Sequence, residues 1–122
     1  MTVSRGPDFE AEITVLPPDP TTRLPPAYNG IRWGFAFAED VSARVSTVAD
    51  IWPVFLDRQG GPLASDIPLQ GTLKAFMHMV TMNWDHAYAS RIRVGAGFMM
   101  MEGARVVATG VVTAVFPRNE MG

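Results

Sequence analysis

The chain contains no cysteine and only one lysine, Lys74, among its ten basic residues. The first absence removes disulfides, thiolate metal sites, iron–sulfur clusters and cysteine nucleophiles. The second leaves nine arginines and one lysine against twelve acids, a formal net charge of −2. Such a balance lacks the long-range positive field that sequence-independent nucleic-acid binding needs, so DNA is not an expected partner. Charge as a whole is sparse, 18% of residues against roughly 25% in an average globular domain. No run approaches the roughly 18 apolar residues of a membrane span. The first ten residues, MTVSRGPDFE, carry no apolar signal core. These features predict a soluble, cytoplasmic protein with no membrane contact. Two histidines, His78 and His86, are too few for a histidine metal centre, and no metal or cofactor is expected.

What is present is apolar and finely divided. The 122 residues are 48% hydrophobic, enough for one core. They are read as a single domain over 9–117 between short tails, 1–8 and 118–122. Eleven glycines and ten prolines cut the chain into pieces mostly too short for stable helices, within which apolar residues alternate. Phe9 to Leu16 (FEAEITVL) sets Phe9, Ala11, Ile13 and Val15 against Glu10, Glu12 and Thr14, the period of a half-buried strand. A proline-rich loop, 17–30, leads to a second strand over Ile31 to Ala38, with Trp33, Phe35 and Phe37 on one face. The stretch Glu39 to Asp50 fits either a strand with Val41, Ala43 and Val45 inward or a short helical turn, and is read as extended. In Asp50 to Asp57, Pro53 implies an edge strand or a kink. Three further runs follow: Thr72 to Met82, Arg91 to Met101 and Arg105 to Phe116. The last two are joined by Glu102, Gly103 and Ala104, the spacing of a tight hairpin. With no amphipathic helix to cover a flat sheet, the strands are expected to close into an all-β barrel or sandwich.

Three of these segments resemble, in order, the C-terminal β-barrel domain of translation elongation factor Tu. They are the opening strand Phe9 to Leu16; Asn29 to Phe37 (NGIRWGFAF), through Gly30, Arg32, Phe35 and Phe37; and Phe98 to Val112 (FMMMEGARVVATGVV), through Glu102, Gly103, Arg105, Val107, Gly110 and Val111. Residues 40–66 match nothing in that family. The resemblance implies a closed six-stranded antiparallel Greek-key barrel. It also implies a domain that performs no chemistry, packs on protein partners and contacts aminoacyl-tRNA. On that basis Arg32, Glu102, Gly103 and Arg105 become candidate RNA contacts. The family carries basic residues at the two positions held here by Gly97 and Met101. No Gly-x-x-x-x-Gly-Lys-Ser/Thr phosphate loop is present, so the chain is not expected to be a GTPase, nor an enzyme of another kind.

The remaining candidates come from side-chain chemistry. Trp84, Asp85, His86 and Tyr88 (NWDHAY) gather versatile groups that could serve a general base, but they are read as a polar hairpin loop. Period two puts His78 on the face of Lys74 and Phe76. Arg91 and Arg93, read as sharing a strand face, could fork onto an anion or pair with nearby acids. Six of the eight methionines fall on two strands: Met77, Met79 and Met82, then Met99, Met100 and Met101. On the second, Met99 and Met101 must face opposite to Phe98 and Met100. Together with Trp33 they are candidates for a docking surface, because methionine adapts to varied partners; a core of flexible gap-fillers is the alternative. The expected function is therefore a non-enzymatic binding module for a protein partner or a second copy of itself. The alternatives are a tRNA-contacting accessory protein and a small-molecule or enzymatic barrel.

Overall fold

A computed structural model of the chain describes residues 6–17, 26–42, 49–79, 90–103 and 105–116. Its strands are β1 (Phe9–Val15), β2 (Trp33–Phe37), β3 (Ala49–Phe55), β4 (Gly71–Met79), β5 (Gly97–Glu102) and β6 (Arg105–Val115), with one short helix, α1 (Ala38–Ser42), after β2. They form a closed barrel in the order β1-β4-β3-β2-β5-β6, with every neighbouring pair antiparallel. Because β2, β3 and β4 run as a meander while β1 returns to lie beside β4, the topology is a Greek key. Closure gives every strand a neighbour on both sides over at least part of its length, which protects the strands without a covering helix layer among the described residues.

The alternation in the sequence becomes inside and outside. Phe9, Ala11 and Ile13 have no solvent exposure, while Glu12 and Thr14 between and beyond them are exposed. Lys74 and His78 on β4 point outward, and Ala75, Met77 and Met79 are buried. The interior is organised around Phe35. Its ring lies 4.8 Å from Phe98 in a tilted stack, and 5.1 and 6.1 Å from Phe37 and Phe9 in edge-to-face contacts. Burying each such ring contributes roughly 1.5–3 kcal/mol by transfer alone, and edge-to-face geometry adds about 0.5–1.5 kcal/mol per pair. Gly110 on β6 faces Phe98 across the ladder. A Cβ there would stand 2.4 Å from Phe98 Cζ, so the ring occupies the space that a side chain would need.

Two sequence expectations are corrected and a third is sharpened. Residues 38–42, the last of the second strand as read and the first four of the stretch read as extended, form α1, the helical turn that was the alternative there; Glu39 and Asp40 in its first turn complement the helix N-terminus. Residues 91–96 form turns and coil before β5, so Arg91 and Arg93 do not share a strand face. Pro53 lies at a local edge of β3, although that strand belongs to a closed barrel. The β2–β3 pairing covers only Ala49 to Ile51, so Pro53, whose partner on β4 is Met77, lies beyond it. Its missing N–H would have pointed, like that of Phe55 two residues on, to the side where no strand lies. There Asn29 replaces the strand: its Oδ1 accepts from Phe55 N at 2.8 Å, and its Nδ2 donates to Phe55 O at 3.0 Å and Leu63 O at 2.9 Å. At the start of β1, buried Asp8 accepts from Met79 N through Oδ2 at 2.8 Å, fastening β1 to β4.

A candidate ligand cavity at the hairpin end

The barrel has two unlike ends. At the first, where β1 and β5 begin and β2 runs into α1, Phe37 and α1 close the barrel. Arg91 binds them together: its guanidinium donates to both carboxylate oxygens of Asp40, each at 3.0 Å, and to Glu39. It also lies over the Phe37 ring, 4.0 Å from the centroid. Hydrogen bonding to Asp40, then to Glu39, raises the Arg91 pKa above its already high ordinary value. Arg91 is thus occupied by acids of its own chain and unavailable to an external anion. Arg93 is exposed.

At the other end β1 finishes, β4 starts and the β5–β6 hairpin turns. Here a cavity of about 340 Å³ opens among the ends of five segments. Val15, Val107 and Leu69 supply apolar wall, Trp33 lies at its inner side, and Glu102 and Arg105 stand on the rim. Two backbone bonds fix the walls: Leu16 N donates to Val107 O at 2.9 Å, and Leu69 N to Ala27 O at 2.8 Å. Pro17 and Pro26, from the two flanks of the proline-rich loop, and Pro68 also line it.

The placement of the two charges has a local cause. Glu102 and Arg105 are paired directly across a tight turn in which Gly103 takes φ 62°, a left-handed conformation that glycine adopts without strain. The β5–β6 register then shifts between Met100 and Met101, so that Met101 faces Val106 while Met100 faces Ala108, leaving Val107 as an extra residue. A bulge of this kind re-aims the side chains on one side of it. Glu102 has the parity of inward Phe98 and Met100, and the bulge gives Arg105 that parity too. Without it, Arg105 would alternate outward from buried Ala108 and Gly110. In spite of facing each other, the two side chains make no ion pair, and neither side chain has a hydrogen-bond partner among the described residues. Trp33 is 4% exposed, and its Nε1 donor is buried without a partner among the described residues, an omission that costs about 1–3 kcal/mol.

Of the residues singled out in the sequence, the cavity therefore unites Trp33, Glu102, Arg105 and Val107. Gly103 is at the exposed turn beside it, and Arg32 is exposed outside it. The placing of Trp33 on a docking surface is corrected: it shares the inner face with Phe35 and Phe37 and packs edge-to-face on Phe55 at 6.3 Å. Met99 and Met101 do take the face opposite to Phe98 and Met100, half-buried between β2 and β6. His78 lies on the outer face with its ring 5.4 Å from that of exposed Trp52. Trp84, Asp85, His86 and Tyr88, like Met82 and the C-terminal tail, lie outside the described residues.

Sequence reasoning identified the rim charges only through resemblance, and it missed the wall residues Val15, Leu69 and Gln70. The one signal for them was indirect: prolines at 17, 26 and 68 mark the points where chain segments stop pairing around this end. A second hollow, about 610 Å³, is lined by Asp57, Arg58, Gln59, Thr72 and Lys74, among others. It is the more open of the two, and Asp57 is engaged in its own turn, accepting from Gln59 N and Gly61 N. Among the described residues no group of three acids or histidines is arranged to hold a metal, and no helix is long and apolar enough to cross a membrane. No protein family and no curated protein sequence matches the chain.

Proposed function

We propose that this protein is a non-enzymatic binding module that works through the cavity at the hairpin end of the barrel. The observation that carries the reading is the pairing of an apolar interior containing Trp33 with two opposite, unpaired charges at the rim. Small-molecule sites have this composition, apolar walls with a few polar groups that fix orientation, and volumes of roughly 300–1,000 Å³. Barrel mouths are a frequent location for them. The test is a ¹H–¹⁵N NMR screen against a library of small amphipathic molecules. Saturable shifts clustered at Val15, Leu69, Gln70, Arg105 and Val107 are expected, and Gln70→Trp, which places a large side chain at the mouth, should suppress them. Shifts scattered over the outer surface, insensitive to that substitution, would refute the assignment.

A second reading, docking of a protein partner or a second copy, is supported by half-buried Met99 and Met101 beside Val111, which is 46% exposed. Met99→Asp with Met101→Asp should then leave a folded barrel but abolish concentration-dependent sedimentation or partner capture. The resemblance to the elongation-factor barrel extends that reading to tRNA, through exposed Arg32 and through Arg105. A tRNA complex that weakens steeply as salt is raised would support it.

A further inference from the structure

We infer that the cavity recognises a free α-amino acid with an apolar side chain, its carboxylate held by Arg105 and its ammonium by Glu102. This deepens the binding-module reading and rests on it. The argument is one of charge complementarity within a confined space. Glu102 and Arg105 are opposite one another in the hairpin, which sets their Cβ atoms roughly 4.5–5.5 Å apart. Both line the same cavity, and neither side-chain charge is hydrogen-bonded or ion-paired with the other or with any described group. A simple carboxylic acid would satisfy Arg105 but bring its charge against Glu102, and an amine would do the reverse. A neutral apolar molecule would partly dehydrate both charges and pair neither, which is costly. A zwitterion satisfies the two at once. Only a single amino acid carries ammonium and carboxylate on one carbon, a separation that matches neighbouring side chains on a hairpin; in a peptide the two termini are moved apart.

The remainder of the cavity selects the side chain. Beneath the rim the wall is Val15, Leu69 and Val107, with the Trp33 ring at its inner side and no further charged group among the described lining residues. An aromatic or branched aliphatic side chain can lie there, whereas a charged one would be stranded without a partner. The guanidinium fork also suits a carboxylate better than an ammonium group would, since it can present two parallel N–H donors. The bulge at Val107 is what turns Arg105 to this task, so the recognition device is built into the β6 backbone.

The experiment compares phenylalanine, N-acetylphenylalanine and phenylalanine amide as NMR titrants of the whole chain, with leucine and glutamate as side-chain controls. Phenylalanine and leucine should give saturable shifts at Gln70, Arg105, Val107 and the Trp33 indole N–H. Blocking either the ammonium or the carboxylate should weaken binding roughly tenfold, the factor equivalent to about 1.4 kcal/mol, and glutamate should bind at least as weakly. Glu102→Gln should erase the difference between phenylalanine and its N-acetyl form, and Arg105→Gln the difference between phenylalanine and its amide. Equal affinity for all three phenylalanine compounds would overturn the zwitterion assignment while leaving the cavity as a binding site. So would a cavity that responds to other small amphipathic molecules but not to phenylalanine or leucine. Failure of every small molecule to shift the cavity resonances would instead remove the binding-module reading beneath it.

Discussion

The two ends of this barrel use the same materials to opposite effect. At the α1 end, an arginine meets two carboxylates and an aromatic face, and each charge is neutralised within the chain. At the hairpin end, an arginine and a glutamate face each other and remain unpaired over an apolar hollow. The first arrangement closes a core; the second leaves recognition groups available. What separates them is not composition but register. Arg91 is in a turn that can fold back on α1, whereas Arg105 is fixed by a two-residue turn and a bulge that hold it at the rim. Stability should therefore reside in the closed end and the barrel wall, and binding in the open one.

The largest effect is expected where the closed-end aromatic cluster depends on a missing side chain. Gly110→Ala places a Cβ 2.4 Å from Phe98 Cζ, and Phe98 is only 1% exposed, so the ring has nowhere to retreat. Overpacking of this kind costs about 3 kcal/mol, at the upper part of its usual range. Chemical denaturation should show that loss, and Phe98→Leu added to Gly110→Ala should restore part of it. Additive losses in the double variant would mean that the ring and the glycine are not coupled. A smaller effect, about 2 kcal/mol, is expected for Asn29→Ala, which deprives Phe55 N and Leu63 O of partners beside the open end. Hydrogen exchange should accelerate at Phe55 and through residues 56–63 more than at Phe35 or Ile13. Uniform acceleration over the barrel would show that Asn29 supports the whole wall and not that one corner.

The contrast between the ends also accounts for what could be read from the chain before folding. The inward rows in FEAEITV and in Trp33, Phe35 and Phe37 follow from period two, and so does the outward setting of Met99 and Met101, because strand alternation is a local property. The hairpin at Gly103 is equally local. The helix at residues 38–42 was legible only as the alternative to extended chain: five residues make little more than one turn, too few to display a 3.6-residue period. Its pairing with Arg91 spans 51 residues to Asp40 and 52 to Glu39. Pro53 signalled an edge correctly in kind, since one flank of β3 lacks a strand there, but nothing nearby in sequence announced that Asn29 would fill it. The cavity was the least accessible feature. Its wall comes from five separated segments, and its rim depends on a one-residue bulge at Val107 that no simple alternation rule would include.

The finest test of the comparison exchanges the same chemistry at both ends. Arg91→Gln removes the bidentate contact with Asp40, the bond to Glu39 and the cation–π contact with Phe37, in a side chain about one-third exposed. Solvent screening limits the expected loss to about 1 kcal/mol. Arg105→Gln breaks no side-chain hydrogen bond or ion pair among the described residues, so its stability should stay within about 0.5 kcal/mol of the parent protein. Binding at the cavity should respond in the reverse order, unaffected by Arg91→Gln and weakened by Arg105→Gln. Chemical denaturation and NMR titration of the two variants side by side separate the roles. If Arg105→Gln proved the more destabilising, its guanidinium would be a structural strut of the hairpin, and the distinction between a closed end for stability and an open end for recognition would fail.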